Sequence, residues 1–331
     1  MAEEVWMLQT KKADFKQIGA RFRIDPVTAR IIRNRGIEGE AAIDRYLNGT
    51  LDDLYDPMLL KDMERAVSIL CEAVDTGKKI RIVGDYDIDG VCSTYILLQA
   101  FERLGSDVDF EIPDRIKDGY GINESIIEQA HADGVEVILT CDNGISAFHQ
   151  VELAKKYGMT VVITDHHEVP LDGEKEKIPP ADAVIDPKQA DCPYPFPEIC
   201  GAVVAYKLVQ VLYARRGVPQ MEWLDLLEFA AIATVGDVMK LQDENRILVK
   251  YGLKKMAQTK NLGLRRLAEK NNLDLGAITA YHIGFVIGPC LNAGGRLKTA
   301  KEALALLRAQ SEEEAERLAE ELKELNDTRK D

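Results

Sequence analysis

KIRIVGDYDIDGVCST, residues 79–94, runs an apolar segment straight into a cluster of acid. Ile80, Ile82 and Val83, with Arg81 among them, suit a buried strand; Asp85, Asp87 and Asp89 then follow at alternate positions. In an extended segment, side chains two apart share a face. The spacing therefore predicts three carboxylates pointing one way, with Tyr86 and Ile88 packed behind them. Gly90 permits a tight turn into a helix expected to begin near Val91. Carboxylates that close repel one another, so they need a compensating charge or must take up protons.

Outward from this stretch, further short Val- and Ile-rich runs stand at 108–112, 135–141, 159–164 and 182–186. Helix-length segments at 91–104, 123–133 and 146–157 separate the first four of the five runs. Runs that are apolar without clean alternation suit parallel strands covered on both faces, so the expected fold is α/β, a parallel sheet with helices on both sides. Residues 1–78 read as a helical leader, with helices near 24–32, 38–47 and 60–76 and with NRG at 34–36 and YDP at 55–57 as punctuation. After Pro187 the strands stop. A Pro-rich loop, DCPYPFPEIC (191–200), leads into helical stretches at 201–214, 221–235, 245–258 and 276–287, and 300–326 reads as one long exposed or linking helix. Four parts follow: a leader (1–78), the α/β domain with most of the acidic rim (79–200), a helical part completing the core (201–299) and the linking helix (300–331).

At 331 residues and 46% hydrophobic content the chain can fill a real core. Its net charge of −14 is the wrong sign for holding duplex DNA on a broad basic surface. Local charge differs: 250–270 carries seven bases against Glu269 alone, and 311–331 carries nine acids against four bases. Lys250, Lys254, Lys255, Arg265 and Arg266 are either a groove for a single strand or a solvated helix face. The six cysteines are scattered without a CxxC pair, which suits free thiols in a reducing compartment. No basic, apolar opening marks a targeting signal and no apolar run approaches the ~18 residues of a membrane span. A cytoplasmic, soluble protein is expected.

In an open parallel sheet, ligands bind beyond the carboxyl ends of the strands. There the first strand delivers Asp85, Asp87 and Asp89, the third Asp142 and Asn143 in TCDNG, and the fourth Asp165, His166, His167 and Glu168 in ITDHHE. Divalent metal would compensate such a cluster, and the carboxylates are too many for one centre. Two ions sharing a bridging carboxylate can clamp the attacking and leaving oxygens of a phosphate ester, so phosphoester hydrolysis is the implied reaction. The oxygen-rich set with histidine suits Mn²⁺ or Mg²⁺ better than structural Zn²⁺. Taken singly the pieces stay open. DxDxDG is also compatible with a polar strand end or a calcium loop, although Ile96 stands where the loop's final Glu belongs. DNG alone reads as a turn, and the paired histidines alone as orienting or surface groups.

With these motifs in place the chain resembles the DHH superfamily of phosphoesterases, named for Asp165-His166-His167, and within it the RecJ family of single-strand-specific 5′-to-3′ DNA exonucleases. The resemblance covers nearly the whole chain. The family's DYDADG stands as DYDIDG at 85–90, its DNG at 142–144, its GYG at 119–121 after IPDR (112–115), and its GPRLNAAGR as GPCLNAGGR at 288–296. The leader motifs NRG and DP also match that family. The resemblance implies two divalent ions, Mn²⁺ in preference to Mg²⁺, held by Asp87, Asp89, Asp142, His166 and Asp237, the last from ATVGDVMKL (233–241), with Asp142 bridging. Asp85 is implied as a ligand or its neighbour. Val83 stands where many family members carry histidine, which implies one metal with fewer protein ligands and more water.

The resemblance further implies that His167 contacts the phosphate and that Asp165 holds a histidine in place. Asn292 and Arg296, on an expected Gly-rich turn, form a phosphate site; without the match the segment reads equally as a loop between helices. Cys290, in place of the family's arginine, removes a positive charge and shifts weight to Arg296. Tyr120 is either a base stacker or a buried or turn tyrosine. The implied substrate is single-stranded DNA, cut to mononucleotides in repair or recombination by a monomer that works with a single-strand-binding protein or a helicase. A further nucleic-acid-binding domain is expected beyond the last helix. The competing readings are a superfamily phosphodiesterase or phosphatase for short oligonucleotides, cyclic dinucleotides or 3′-phosphoadenosine phosphate, and a non-catalytic relative, against which the retained acids and histidines speak.

Overall fold

The Val- and Ile-rich runs form the strands expected of them. The computed structural model describes residues 7, 11–114, 121–297 and 300–330, with the side chains of 296, 297 and 330 outside the described set. The chain divides into two compact units, 1–54 and 55–331. In the first, helices α1 (Phe15–Phe22), α2 (Pro26–Asn34) and α3 (Glu40–Asn48) gather around Ile32, Ile37 and Ile43. Asp25 caps α2 by accepting the Val27 and Thr28 N–H groups, and Pro26 presets its first turn. The first of these helices, α1, has no counterpart among those expected from the sequence.

The second unit opens with α4 (Met63–Asp75) and then alternates strand and helix: β1 (Ile80–Val83), α5 (Ile88–Arg103), β2 (Val108–Glu111), α6 (Glu124–Ala132), β3 (Val137–Cys141), α7 (Phe148–Lys156) and β4 (Thr160–Thr164). A small exposed hairpin, β5 (Leu171–Asp172) and β6 (Lys175–Glu176), precedes β7 (Ala183–Ile185). The main sheet has five strands in the order β2-β1-β3-β4-β7, every pair parallel. All carboxyl ends therefore lie along one rim. Val83, Ile138, Val161, Ile163 and Val184 pack on one face with Ile126 and Ile127 of α6 and Val151 of α7. On the sheet's other side α5 is buried at every residue from Ile88 to Leu98, which is why its sequence shows no polar stripe. Burying a side chain such as Leu97 or Phe101 contributes ~1.5–3 kcal/mol each.

The remainder is helical: α8 (Gly201–Arg215), α9 (Gln220–Leu224), α10 (Leu227–Gly236), α11 (Asp243–Met256), α12 (Leu262–Lys270) and α13 (Ala280–His282), which passes through a π-helical turn at Ile283–Ile287 into α14 (Gly288–Leu297). Two more follow, α15 (Lys301–Arg308) and α16 (Glu312–Lys330). Among the described residues no helix is long and apolar enough to cross a membrane.

Several sequence expectations change here. The run 221–235 breaks into α9 and α10 around Asp225 and Leu226, and α12 appears where no helix was expected. The GPCLNAGGR segment is helix, not a Gly-rich turn. Its glycine serves close approach instead, since a β-carbon on Gly295 would stand 2.4 Å from the Tyr86 carbonyl oxygen. The acidic segment expected as a single helix over 300–326 divides between α15 and α16. In α16, Ala315, Leu318, Ala319 and Leu322 are buried while its acids meet α12: Arg265 and Arg266 pair with Glu312, and Lys270 pairs with Glu316 and Glu320. Those two arginines thus belong to an ion-pair seam between helices. Lys255 is likewise held by Asp225, and Lys254 lies over the Tyr251 ring.

Candidate metal centre

Along the carboxyl rim the chain leaves β1 and places Asp85 in a buried loop. Asp87 then caps α5, its Oδ1 accepting from the N–H groups of Asp89 at 2.9 Å and Gly90 at 3.1 Å. The cap starts the helix at Ile88 rather than near Val91, so Asp89 lies in the first turn and not on an extended strand. The three acids converge through this turn, not through strand alternation. Gly90 is required by closeness, since a β-carbon there would stand 2.4 Å from the Asp85 carbonyl oxygen.

Asp142 follows β3 with φ +61°, the left-handed conformation that short polar residues tolerate. The N-terminus of α8 comes up against the same cluster. Gly201 and Ala202 donate their N–H groups to Asp89 at 2.7 and 2.8 Å, and a β-carbon on Gly201 would meet that of Asp142 at 2.7 Å. Fifteen aligned peptide dipoles thus direct positive potential at the carboxylates. Asp237 is the C-cap residue of α10. His166, after β4, turns Nε2 to Asp142 Oδ1 at 3.0 Å, Asp89 Oδ2 at 3.4 Å and Asp237 Oδ2 at 3.9 Å.

Ligand atoms within 4.8 Å of one another form three sets: Asp89, His166 and Asp237; Asp85, Asp87 and Asp142; and Asp142, His166 and His167. All six residues singled out for metal from the sequence are therefore brought together. Val83 is buried in the apolar face of the sheet, and its carbonyl accepts from the Asn143 amide.

The electrostatics match a site built for cations. Burial, then the neighbouring Asp87, pushes Asp85 up to about 7, and its buried Oδ1 has no hydrogen-bond partner among the described residues. Burial with Asp89 and Asp87 pushes Asp237 up to about 7. Burial and Asp89 also raise Asp87, and burial with Asp89 and Asp87 raises Asp142 well above the carboxylate range. A divalent cation would remove that penalty and drive off the protons. Burial, partly countered by Asp89, lowers His166, which favours the neutral imidazole a metal needs. The donor set, carboxylates with one imidazole, fits Mn²⁺ or Mg²⁺.

Of the residues given catalytic roles, Asp165 is buried and meets the ring of His167 rather than that of His166: its Oδ1 lies 2.7 Å from His167 Nδ1. It also accepts the N–H groups of His166 at 2.7 Å and, through Oδ2, Ile145 at 2.8 Å. Burial alone would lower His167, yet the hydrogen bond and charge of Asp165, with Asp89 and Asp237, raise it to about 9. Although burial pushes Asp165 up, its bond to His167 holds it below the usual range. Asn292 is half-buried on α14, its Oδ1 without a partner among the described residues, and α14 packs on the Tyr86 loop. The Arg296 side chain and Tyr120 lie outside the described residues.

One residue escaped the sequence reading. Asp186 ends β7 on the same rim, fully buried, and burial with the nearby Asp165 pushes it up to about 7. The signal was available, because an acid directly after the last strand occupies the position already singled out on the others.

Comparison with known proteins follows the same residues. The family described as "DHH family, N-terminal domain" matches residues 79–234. The chain is 38% identical over 325 residues to the single-stranded-DNA-specific exonuclease RecJ of Bacillus subtilis (strain 168), covering 98% of this chain and 40% of that protein. It is 36% identical over 319 residues to that of Escherichia coli (strain K12), covering 93% and 54%. The chain spans about half the length of the curated relatives it matches. Among solved structures, RecJ in complex with Mn²⁺ from Thermus thermophilus matches with a TM-score of 0.79 at 32% identity, over 96% of this chain and 44% of the other. An exonuclease RecJ bound to manganese matches with a TM-score of 0.73 at 36% identity, over 82% and 67%. With sequence, motifs and backbone in agreement, the chain belongs to the DHH family, in its RecJ branch.

Proposed function

We propose that the chain hydrolyses phosphodiester bonds of single-stranded DNA from the 5′ end, releasing mononucleotides. The observation that carries this reading is the meeting of Asp85, Asp87, Asp89, Asp142, His166 and Asp237, from four separate segments, in overlapping sets no wider than 4.8 Å. The substrate class is supported by the relatives, which are named single-stranded-DNA-specific exonucleases. In this reading Asp87, Asp89, Asp142, His166 and Asp237 hold two divalent ions, Mn²⁺ in preference to Mg²⁺, with Asp142 shared and Asp85 beside them.

When bound, such ions supply a hydroxide at neutral pH and neutralise charge on the reacting phosphate. The chain's own groups do the rest. The α8 N-terminus holds Asp89 in one orientation through two N–H donors. His167, kept cationic by Asp165, donates a hydrogen bond to a phosphate oxygen as its negative charge grows. Asn292 and Arg296 of α14 take the neighbouring phosphate. Residues 79–200 then bring most of the ligands and 201–299 bring Asp237, behind the leader at 1–78 and ahead of the helical segment 300–331. The free cysteines support a cytoplasmic setting. There a monomer would act in repair or recombination with a single-strand-binding protein or a helicase.

The test is product length. The chain with Mn²⁺ is offered 5′-labelled and 3′-labelled single strands, duplexes and dinucleotides in parallel. Mononucleotides released from the 5′ end of long single strands are expected. Cleavage confined to dinucleotides would overturn the reading in favour of a short-oligonucleotide phosphodiesterase.

A further inference from the structure

Two aromatic rings stand out into solvent beside the helix that carries Asp237. Tyr281 is 64% exposed and Phe285 68%, and the rings stack with centroids 4.8 Å apart and planes at 29°. They lie where α13 passes into the π-helical turn, a form frequent at functional sites. Ile283 and Ile287 anchor that turn in the core, so the rings are held from below. Gly284 faces α10, where an added β-carbon would stand 3.6 Å from Val235 Cγ1, two residues before Asp237. Gly288, at the end of the turn, faces Ile88 of α5 in the same way at 3.4 Å. The stacked rings are therefore mounted on the helix ends that present Asp237 and Asp89.

A second oddity closes α10, the helix that Gly284 faces. Val238, directly after Asp237, is 87% exposed and adopts φ +58°. It closes α10 in a Schellman motif, its N–H donating to Val235 O at 3.2 Å and that of Met239 to Thr234 O at 3.1 Å. Glycine is the usual occupant of this position, and a β-branched residue is strained there. Strain that holds an apolar side chain out in water points to something that covers the side chain.

We infer that Val238, Tyr281 and Phe285 form a ledge that receives the unstacked nucleobases of a single strand whose backbone enters the acidic rim. The inference rests on the proposed function for the identity of the strand, and binding can be read apart from cutting. Flat, uncharged rings in offset stacking leave an aromatic face free for another flat ring, and base stacking on such faces tolerates any sequence. A duplex keeps its bases inside its own stack, so the ledge would favour single strands. Continuity with the Asp237 helix end places the ledge where a strand bound at the metal centre would pass.

The experiment measures binding of the metal-free chain, by anisotropy, to a labelled oligothymidylate and to an abasic strand of the same length. Wild type should prefer the strand with bases. Tyr281→Ser and Phe285→Ser should weaken oligothymidylate binding by about five-fold or more, leaving the abasic strand unaffected, and Phe285→Trp should keep the wild-type binding. Equal binding of oligothymidylate by wild type and both serine variants would overturn the ledge, as would equal losses on both strands. So would a change in sedimentation without a change in base-dependent binding, which would mark the face as a contact between copies. If Mn²⁺-loaded wild type leaves single strands uncut while base-dependent binding persists, the proposed reaction fails and the ledge stands.

Discussion

Asp165 Oδ1 lies 2.7 Å from Nδ1 of His167, and the same oxygen accepts the backbone N–H of His166. One buried carboxylate thus fixes both the direction of the His167 ring and its charge. With its titration raised to about 9, His167 contributes stability that is full below its unfolded pKa of about 6.5 and is lost as pH rises through about 9. In Asp165→Asn the His167 midpoint should fall well below 9, as read by NMR of the metal-free protein. Hydrolysis at pH 8 should drop by ~10–100-fold, the usual effect of losing an orienting partner. A midpoint that stays near 9 would show that Asp165 is not what holds the charge.

Metal should stabilise the protein more at high pH than at low. Asp85 and Asp237 both titrate at about 7 when no cation is near. Carboxyls with raised pKa values stabilise the metal-free fold fully below their unfolded values near 4, and that stability is lost as pH rises through 7. Bound divalent ions reverse the balance, because they favour the ionised form. The rise in melting temperature on adding Mn²⁺ should therefore be larger at pH 8 than at pH 5.5. At one hundred times the dissociation constant it corresponds to about 2.7 kcal/mol for each ion. An equal shift at both pH values would mean these acids take no part in metal binding.

Gly201→Ala should disturb metal binding without replacing a ligand. The new methyl would meet Asp142 Cβ at 2.7 Å and its Oδ1 at 2.9 Å, so Asp142 or the α8 N-terminus must move. Overpacking of this kind costs ~1–3 kcal/mol. Mn²⁺ affinity, followed by calorimetry, should fall by ~10-fold. Unchanged affinity would show that the α8 terminus can yield without moving Asp142.

Lys207→Met should act on stability alone. Lys207 and Glu244 are both buried and paired at 3.0 Å, and Lys207 also donates to the Tyr55 carbonyl. Removing the lysine leaves Glu244 as a buried charge, a loss of ~3–5 kcal/mol by urea denaturation. Mn²⁺ affinity should stay at the wild-type value, because neither residue belongs to the metal sets. A loss under ~1 kcal/mol would mean that Glu244 finds another partner or a proton.

The sheet and its acidic rim could be read from the sequence because strand burial and strand ends are local patterns. Ile80–Val83, Val137–Cys141 and Thr160–Thr164 carry their apolar runs in plain view, and each is followed within two residues by an aspartate. Convergence at the rim then followed from parallel topology. What local pattern could not show was the work of tertiary contacts. Gly295 reads as a turn residue but is small because α14 presses on the Tyr86 carbonyl. Arg265 and Arg266 read equally as a groove for nucleic acid, until Glu312 of a distant helix pairs with them. Asp237 is legible only through the resemblance, since the packing of α10 against α5 is what brings that helix end to the rim.

The central claim is a metal-dependent reaction organised around Asp142. The most direct measurement is Mn²⁺-dependent release of mononucleotides from a 5′-labelled single strand by Asp142→Ala beside wild type, with folding checked by circular dichroism. The account predicts a fall of ~100-fold or more, beyond the loss expected for a mere neighbour of a ligand. A folded Asp142→Ala protein that keeps wild-type hydrolysis in Mn²⁺ would contradict it.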